Sequence, residues 1–76
     1  MHGLDADAMN KLGNRYRDGI SVEQNYREAV FWYLKAAEGG NVDAMRALAL
    51  FFTLGVGVEQ NLEQANYWTE MVINCQ

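Results

Sequence analysis

Ala8, Met9, Leu12, Gly13 and Tyr16 stand at i, i+1, i+4, i+5 and i+8, the spacing that gathers side chains onto one face of a helix. Ala44, Met45, Leu48, Ala49 and Phe52 repeat the arrangement further along the chain. A second type of face carries Ala29, Trp32, Tyr33 and Ala36, and returns as Ala65, Trp68 and Val72. Asp5 and Asn41 fall where N-caps belong, offering side-chain oxygens to the free amides of a first turn. Asn25 with Glu28, and Asn61 with Gln64, resemble capping boxes with Asn in the place usually held by Ser or Thr. Gly19 and Gly55 suit left-handed C-caps, and Gly39-Gly40 closes one helix before Asn41 opens the next. Proline, which would interrupt a helix, does not occur. The pattern predicts four helices, over 6–18, 26–38, 42–54 and 62–74. Loops of about seven residues join the helices within each half, and a tight turn joins the halves.

The two halves are copies. A shift of 36 residues aligns the chain with itself without a gap and gives 12 identities in 40 aligned pairs, too many for coincidence. Val22-Glu23-Gln24-Asn25 recurs unbroken as Val58-Glu59-Gln60-Asn61. The chain is therefore expected to be all-α, a solenoid of two helix-turn-helix repeats within one domain of residues 1–76, repeat one over 5–40 and repeat two over 41–76. Ala8, Gly13 and Ala29 are small enough to let helices approach closely, with Tyr16 and Trp32 filling the space around them. Leu12, Gly19, Ala44, Leu48, Phe52, Gly55, Ala65 and Trp68 take structural roles by the same spacing.

The run Asp-Ala-Met-x-x-Leu-Gly-x-x-Tyr-x-x-Gly from Asp7 to Gly19 is followed by Val22, Asn25, Ala29, Trp32 and Lys35-Ala36-Ala37-Glu38. Together these residues resemble the Sel-one-like repeat, a relative of the tetratricopeptide repeat with a longer loop between its helices. Asn25 stands where Asp is commoner and Ser21 where Gly is usual; repeat two has Gly57 but replaces the Lys-Ala-Ala-Glu ending with Met71-Val72-Ile73-Asn74. The resemblance implies a protein-interaction scaffold, with members acting as adaptors and regulators, many of them bacterial and some of them toxin antagonists. It implies no enzyme and names no partner. Secreted branches of the family carry paired cysteines in each repeat, which Cys75 alone does not match.

Composition narrows the function classes. Six Lys and Arg against ten Asp and Glu leave a net charge of −4, unlike the basic face of a nucleic-acid binder. The single cysteine excludes an internal disulfide. The longest apolar run, Ala47 to Phe52, falls far short of the roughly 20 residues that cross a bilayer. No basic stretch leads into an apolar one at the start of the sequence, so the expected compartment is the cytoplasm. His2 with Asp5 and Asp7 lacks the supporting ligands that a metal needs. Cys75 has no His or helix start nearby to make it reactive. Gly55-Val56-Gly57 follows a helix and lacks the Gly-Lys-Ser/Thr ending of a phosphate loop. No nucleophile, acid and base can be assembled, so neither catalysis nor a cofactor is expected.

The candidates for recognition come from where the copies differ. Asn14, Arg15 and Asp18 become Leu50, Phe51 and Leu54, while Lys11 becomes Ala47 and Arg17 becomes Thr53. Leu50, Phe51 and Leu54 either lie covered inside the chain or form an exposed apolar patch, which would mark an interface. Lys11, Arg15 and Arg17 make either an ordinary solvated face or a cationic patch for an acidic peptide or carboxylate terminus. Solenoids normally need about three repeats. A homodimer, or a place in a longer array, is therefore expected alongside a protein or peptide partner. A structural capping unit and a small bacterial inhibitor or immunity-type protein are the alternatives.

Overall fold

Side-chain oxygens start every helix. In the computed structural model, which describes residues 5–75, Asp5 and Asn41 each accept from the amide three residues on, at 2.8 Å. Asn25 and Asn61 do the same at 3.1 Å. The helices are α1 (Ala6–Asp18), α2 (Tyr26–Glu38), α3 (Val42–Leu54) and α4 (Leu62–Asn74), the segments that periodicity predicts. All the regular structure among the described residues is helical. The capping boxes form only by half. The amide of Asn25 donates to the carbonyl of Tyr16, and that of Asn61 to the carbonyl of Phe52, both at 2.9 Å. The donor that Glu28 or Gln64 would have satisfied is thus already used. Each bond ties the start of a second helix back to the first helix of its repeat.

The C-terminal punctuation follows the sequence as well. Gly19 and Gly55 close α1 and α3 with φ 71° and ψ 40°, a conformation that only glycine adopts without strain. In the loops beyond, Ser21 and Gly57 occupy equivalent positions and both lie in the left-handed region, at φ 66° and 71°.

Each helix packs extensively only on its neighbours in the chain, α1 on α2, α2 on α3 and α3 on α4, in a slab with principal extents of 31 × 27 × 15 Å. The core is concentrated in the middle. Ala29, Val30, Tyr33, Ala36 and Ala37 of α2 meet Ala44, Met45, Leu48 and Phe51 of α3, all buried. By contrast, α1 buries only Gly13, and α4 only Ala65 and Trp68. At roughly 1.5–3 kcal/mol for each large apolar side chain covered, the buried residues of α2 and α3 supply most of the apolar stabilisation.

Two contacts explain the residue choices on either side of α2. The ring of Tyr33 lies across Gly13, where a Cβ would come within 2.7 Å of two ring carbons. At the corresponding positions of repeat two stand Ala49 and Thr69, so bulk has moved from one partner to the other. Phe51 wedges its ring against the rings of Tyr26 (centroids 6.0 Å apart) and Tyr33 (5.7 Å), both edge-to-face.

Ala8 and Leu12 depart from the expectation of close packing. They are only half-buried, whereas their counterparts Ala44 and Leu48 are fully buried. The reason is positional: that face of α3 is covered by α2, and no described element covers the same face of α1. Tyr16 and Phe52 are also half-buried and pack against the core, while Trp32, half-buried too, meets the ring of Phe31 edge-to-face.

Candidate interaction surfaces

The residues in which the repeats differ do not form one patch. Phe51 is core, held between Tyr26 and Tyr33 as described. Leu50 and Leu54, one turn apart on α3, stand outside it at 53% and 61% exposure. The sequence alone left the three together; the aromatic pair on α2 separates them. In repeat one, the positions of the two leucines are held by Asn14 and Asp18, which are engaged in polar contacts. Asn14 Oδ1 accepts from the hydroxyl of Tyr33 at 2.5 Å. Asp18 accepts from Arg17 through both oxygens, from Nε at 2.9 Å and from Nη2 at 2.8 Å.

That pairing removes Arg17 from the list of free cations. The bond to Asp18 raises the Arg17 pKa and lowers that of Asp18. Tyr33 has its pKa raised, chiefly by burial, with Arg17 acting in the opposite direction. Lys11 and Arg15 remain exposed on α1. With Ala8 and Leu12 they line a shallow depression of about 250 Å³.

Sequence comparison of the first helices found Leu50 and Leu54, but the second helices also carry exposed apolar groups. Leu62 and Ile73 of α4 are exposed at the positions held by Tyr26 and Ala37 in α2. The 36-residue alignment contained that signal, since Tyr26 and Ala37 belong to the face of α2 that meets α3.

The described residues contain no cluster of His, Cys, Asp and Glu able to hold a metal ion, and His2 lies outside them. Cys75 is exposed and unpaired. Among the described residues no helix is long and apolar enough to cross a membrane.

Paired helices with glycine-closed loops, repeated at 36 residues and stacked through the second helix of one unit and the first of the next, define an α-solenoid of the helical-repeat class. The model of the Sel1 repeat family matches residues 6–41 and 42–71. The chain belongs to the Sel1 repeat family, whose members are generally protein-interaction modules and not typically enzymes. It is similar to a Sel1 repeat protein from Oxalobacter formigenes, with 36% identity and a TM-score of 0.87 over 91% of this chain and 28% of that one. It is also similar to c5321, a protective antigen of uropathogenic Escherichia coli with an SLR fold, with 33% identity and a TM-score of 0.87 over 91% of this chain and 15% of that one. The chain thus spans under a third of the length of either structure. No curated protein matches it.

Proposed function

We propose that the chain is a non-catalytic adaptor that binds a protein partner through the apolar surface of α3 around Leu50 and Leu54. The observation that carries this reading is the exchange of two engaged polar residues, Asn14 and Asp18, for two leucines that are more than half exposed. A leucine more than half exposed forfeits a corresponding part of the roughly 1.5–3 kcal/mol that full burial gives, and a partner's apolar surface recovers it. Self-association is the second reading, because the same leucines would be covered in a homodimer.

Leu50→Asp with Leu54→Asp separates the two. Both side chains are exposed, so the fold should survive, as circular dichroism would show. Light scattering on a sizing column fixes the oligomeric state. A mass near twice 8.6 kDa that the double variant reduces to 8.6 kDa supports the homodimer. A wild-type monomer whose crosslinked partner is lost in the double variant supports the adaptor. A monomer with no such loss overturns both.

A further inference from the structure

The depression on α1 occupies the same place on repeat one as the stacking face occupies on repeat two. On α3 that face is Ala44, Ala47, Leu48 and Phe51, and it is covered by α2 of the preceding unit. The loop of repeat two joins the contact through Gly57, where a Cβ would lie 2.6 Å from the carbonyl oxygen of Tyr26. Repeat one changes three of these positions: Lys11 for Ala47, Arg15 for Phe51 and Ser21 for Gly57. Each change works against the same packing. Two bring a charge onto a surface that is otherwise apolar, and the third adds a Cβ where the approach is closest.

The two cations also find no anion among the described residues. Lys11 and Arg15 make no ion pair or side-chain hydrogen bond with any described residue, and their i, i+4 spacing sets them against each other. The acidic residues within a turn of them are engaged elsewhere. Asp7 accepts from Asn41 Nδ2 at 2.9 Å, and Asp18 is held by Arg17. Beside the cations along the helix, Ala8 and Leu12 supply an apolar floor.

We infer that this face is a second recognition surface, for an acidic polypeptide segment in which an apolar side chain is flanked by carboxylates. The apolar group rests on Ala8 and Leu12, and the carboxylates lie against Lys11 and Arg15. Charge complementarity selects this occupant: two cations one turn apart, without an ion pair among the described residues, match carboxylates next to a residue that fits a shallow floor. The net charge of −4 on the chain disfavours polyanions that need a wide basic field, such as nucleic acid or an anionic bilayer. This surface does not depend on Leu50 and Leu54.

The test is a titration of the isotope-labelled chain with the blocked peptide Glu-Glu-Leu-Glu-Glu, followed by the amide resonances. The expected result is saturable shifts centred on Lys11, Leu12 and Arg15, with binding weakened as salt is raised. Lys11→Glu with Arg15→Glu should weaken binding at least tenfold. Lys11→Glu alone should weaken it without lowering the melting temperature, because it replaces a repulsive i, i+4 pair by an attractive one. Leu50→Asp with Leu54→Asp should leave binding unchanged. The inference is overturned by an absence of saturation, by shifts centred on α3, by equal affinity for Lys-Lys-Leu-Lys-Lys, or by tighter binding to an oligonucleotide or to phosphatidylserine vesicles than to the peptide.

Discussion

The ring of Tyr33 occupies the space that a side chain at residue 13 would need, with two of its carbons 2.7 Å from the position of the missing Cβ. Gly13→Ala should therefore destabilise the protein, although alanine is the better helix former by about 1 kcal/mol. Overpacking a full core costs about 1–3 kcal/mol, so a net loss of roughly 1–2 kcal/mol is expected by urea denaturation. Tyr33→Thr alone opens a cavity and should cost about 3–5 kcal/mol. Combined, the two changes recreate the Ala49 and Thr69 pairing of repeat two. The double variant should then be more stable than Tyr33→Thr, with a coupling energy of about 1–3 kcal/mol. Strict additivity would show that the two residues do not compete for the same volume.

Ser21 and Gly57 predict opposite responses to substitution at equivalent positions. Ser21 holds φ 66° with a Cβ, which costs about 1–2 kcal/mol relative to glycine. Glycine loses about 0.4–1 kcal/mol of that through its freer unfolded chain. Ser21→Gly should thus stabilise by about 0.5 kcal/mol and raise Tm by a few degrees. Gly57→Ala meets both a left-handed backbone and the Tyr26 carbonyl, and should cost about 2–4 kcal/mol. Thermal melts that ranked the two variants the other way would contradict the loop geometry.

Stability should decline in alkali because of Tyr33. Its hydroxyl is buried with the ring, which raises its pKa above the ordinary value of about 10. A folded pKa above the unfolded one gives stability that is complete below about pH 10 and is lost as the pH rises through the folded value. Tyr33→Phe should remove that alkaline slope. At neutral pH it should cost about 1 kcal/mol for the bond to Asn14. Asp18 acts in the other direction: its lowered pKa gives stability above the usual carboxylate range that is lost in acid. Because Asp18 is exposed, that contribution should be small and should fade with added salt.

The helices were legible in the sequence because local chemistry decides them. Asp5, Asn25, Asn41 and Asn61 start them, Gly19 and Gly55 end two of them, and the apolar spacing fills the interval. The amides of Asn25 and Asn61 escaped that reading because they donate to carbonyls nine residues earlier, which no local pattern reports. The surface was only partly legible. The exchange of Asn14, Arg15 and Asp18 for Leu50, Phe51 and Leu54 marked a stretch of α3, yet could not tell the core residue Phe51 from its exposed neighbours. That distinction depends on Tyr26 and Tyr33, which reach Phe51 from another helix. Likewise, Lys11, Arg15 and Arg17 look equivalent along the chain, until Asp18 is seen to engage only the last of them.

Because each helix rests mainly on the one before and the one after it in the chain, nearly all the contacts that define the fold close short loops. Such topologies lose little chain entropy before contacts form, and helical proteins of this kind fold in microseconds to milliseconds. Either helical hairpin can form first. The docking of α2 on α3, where Phe51 must find its seat between two tyrosines, is then the expected slow step, and in stopped-flow refolding substitutions there should slow folding more than equally destabilising ones in α1 or α4.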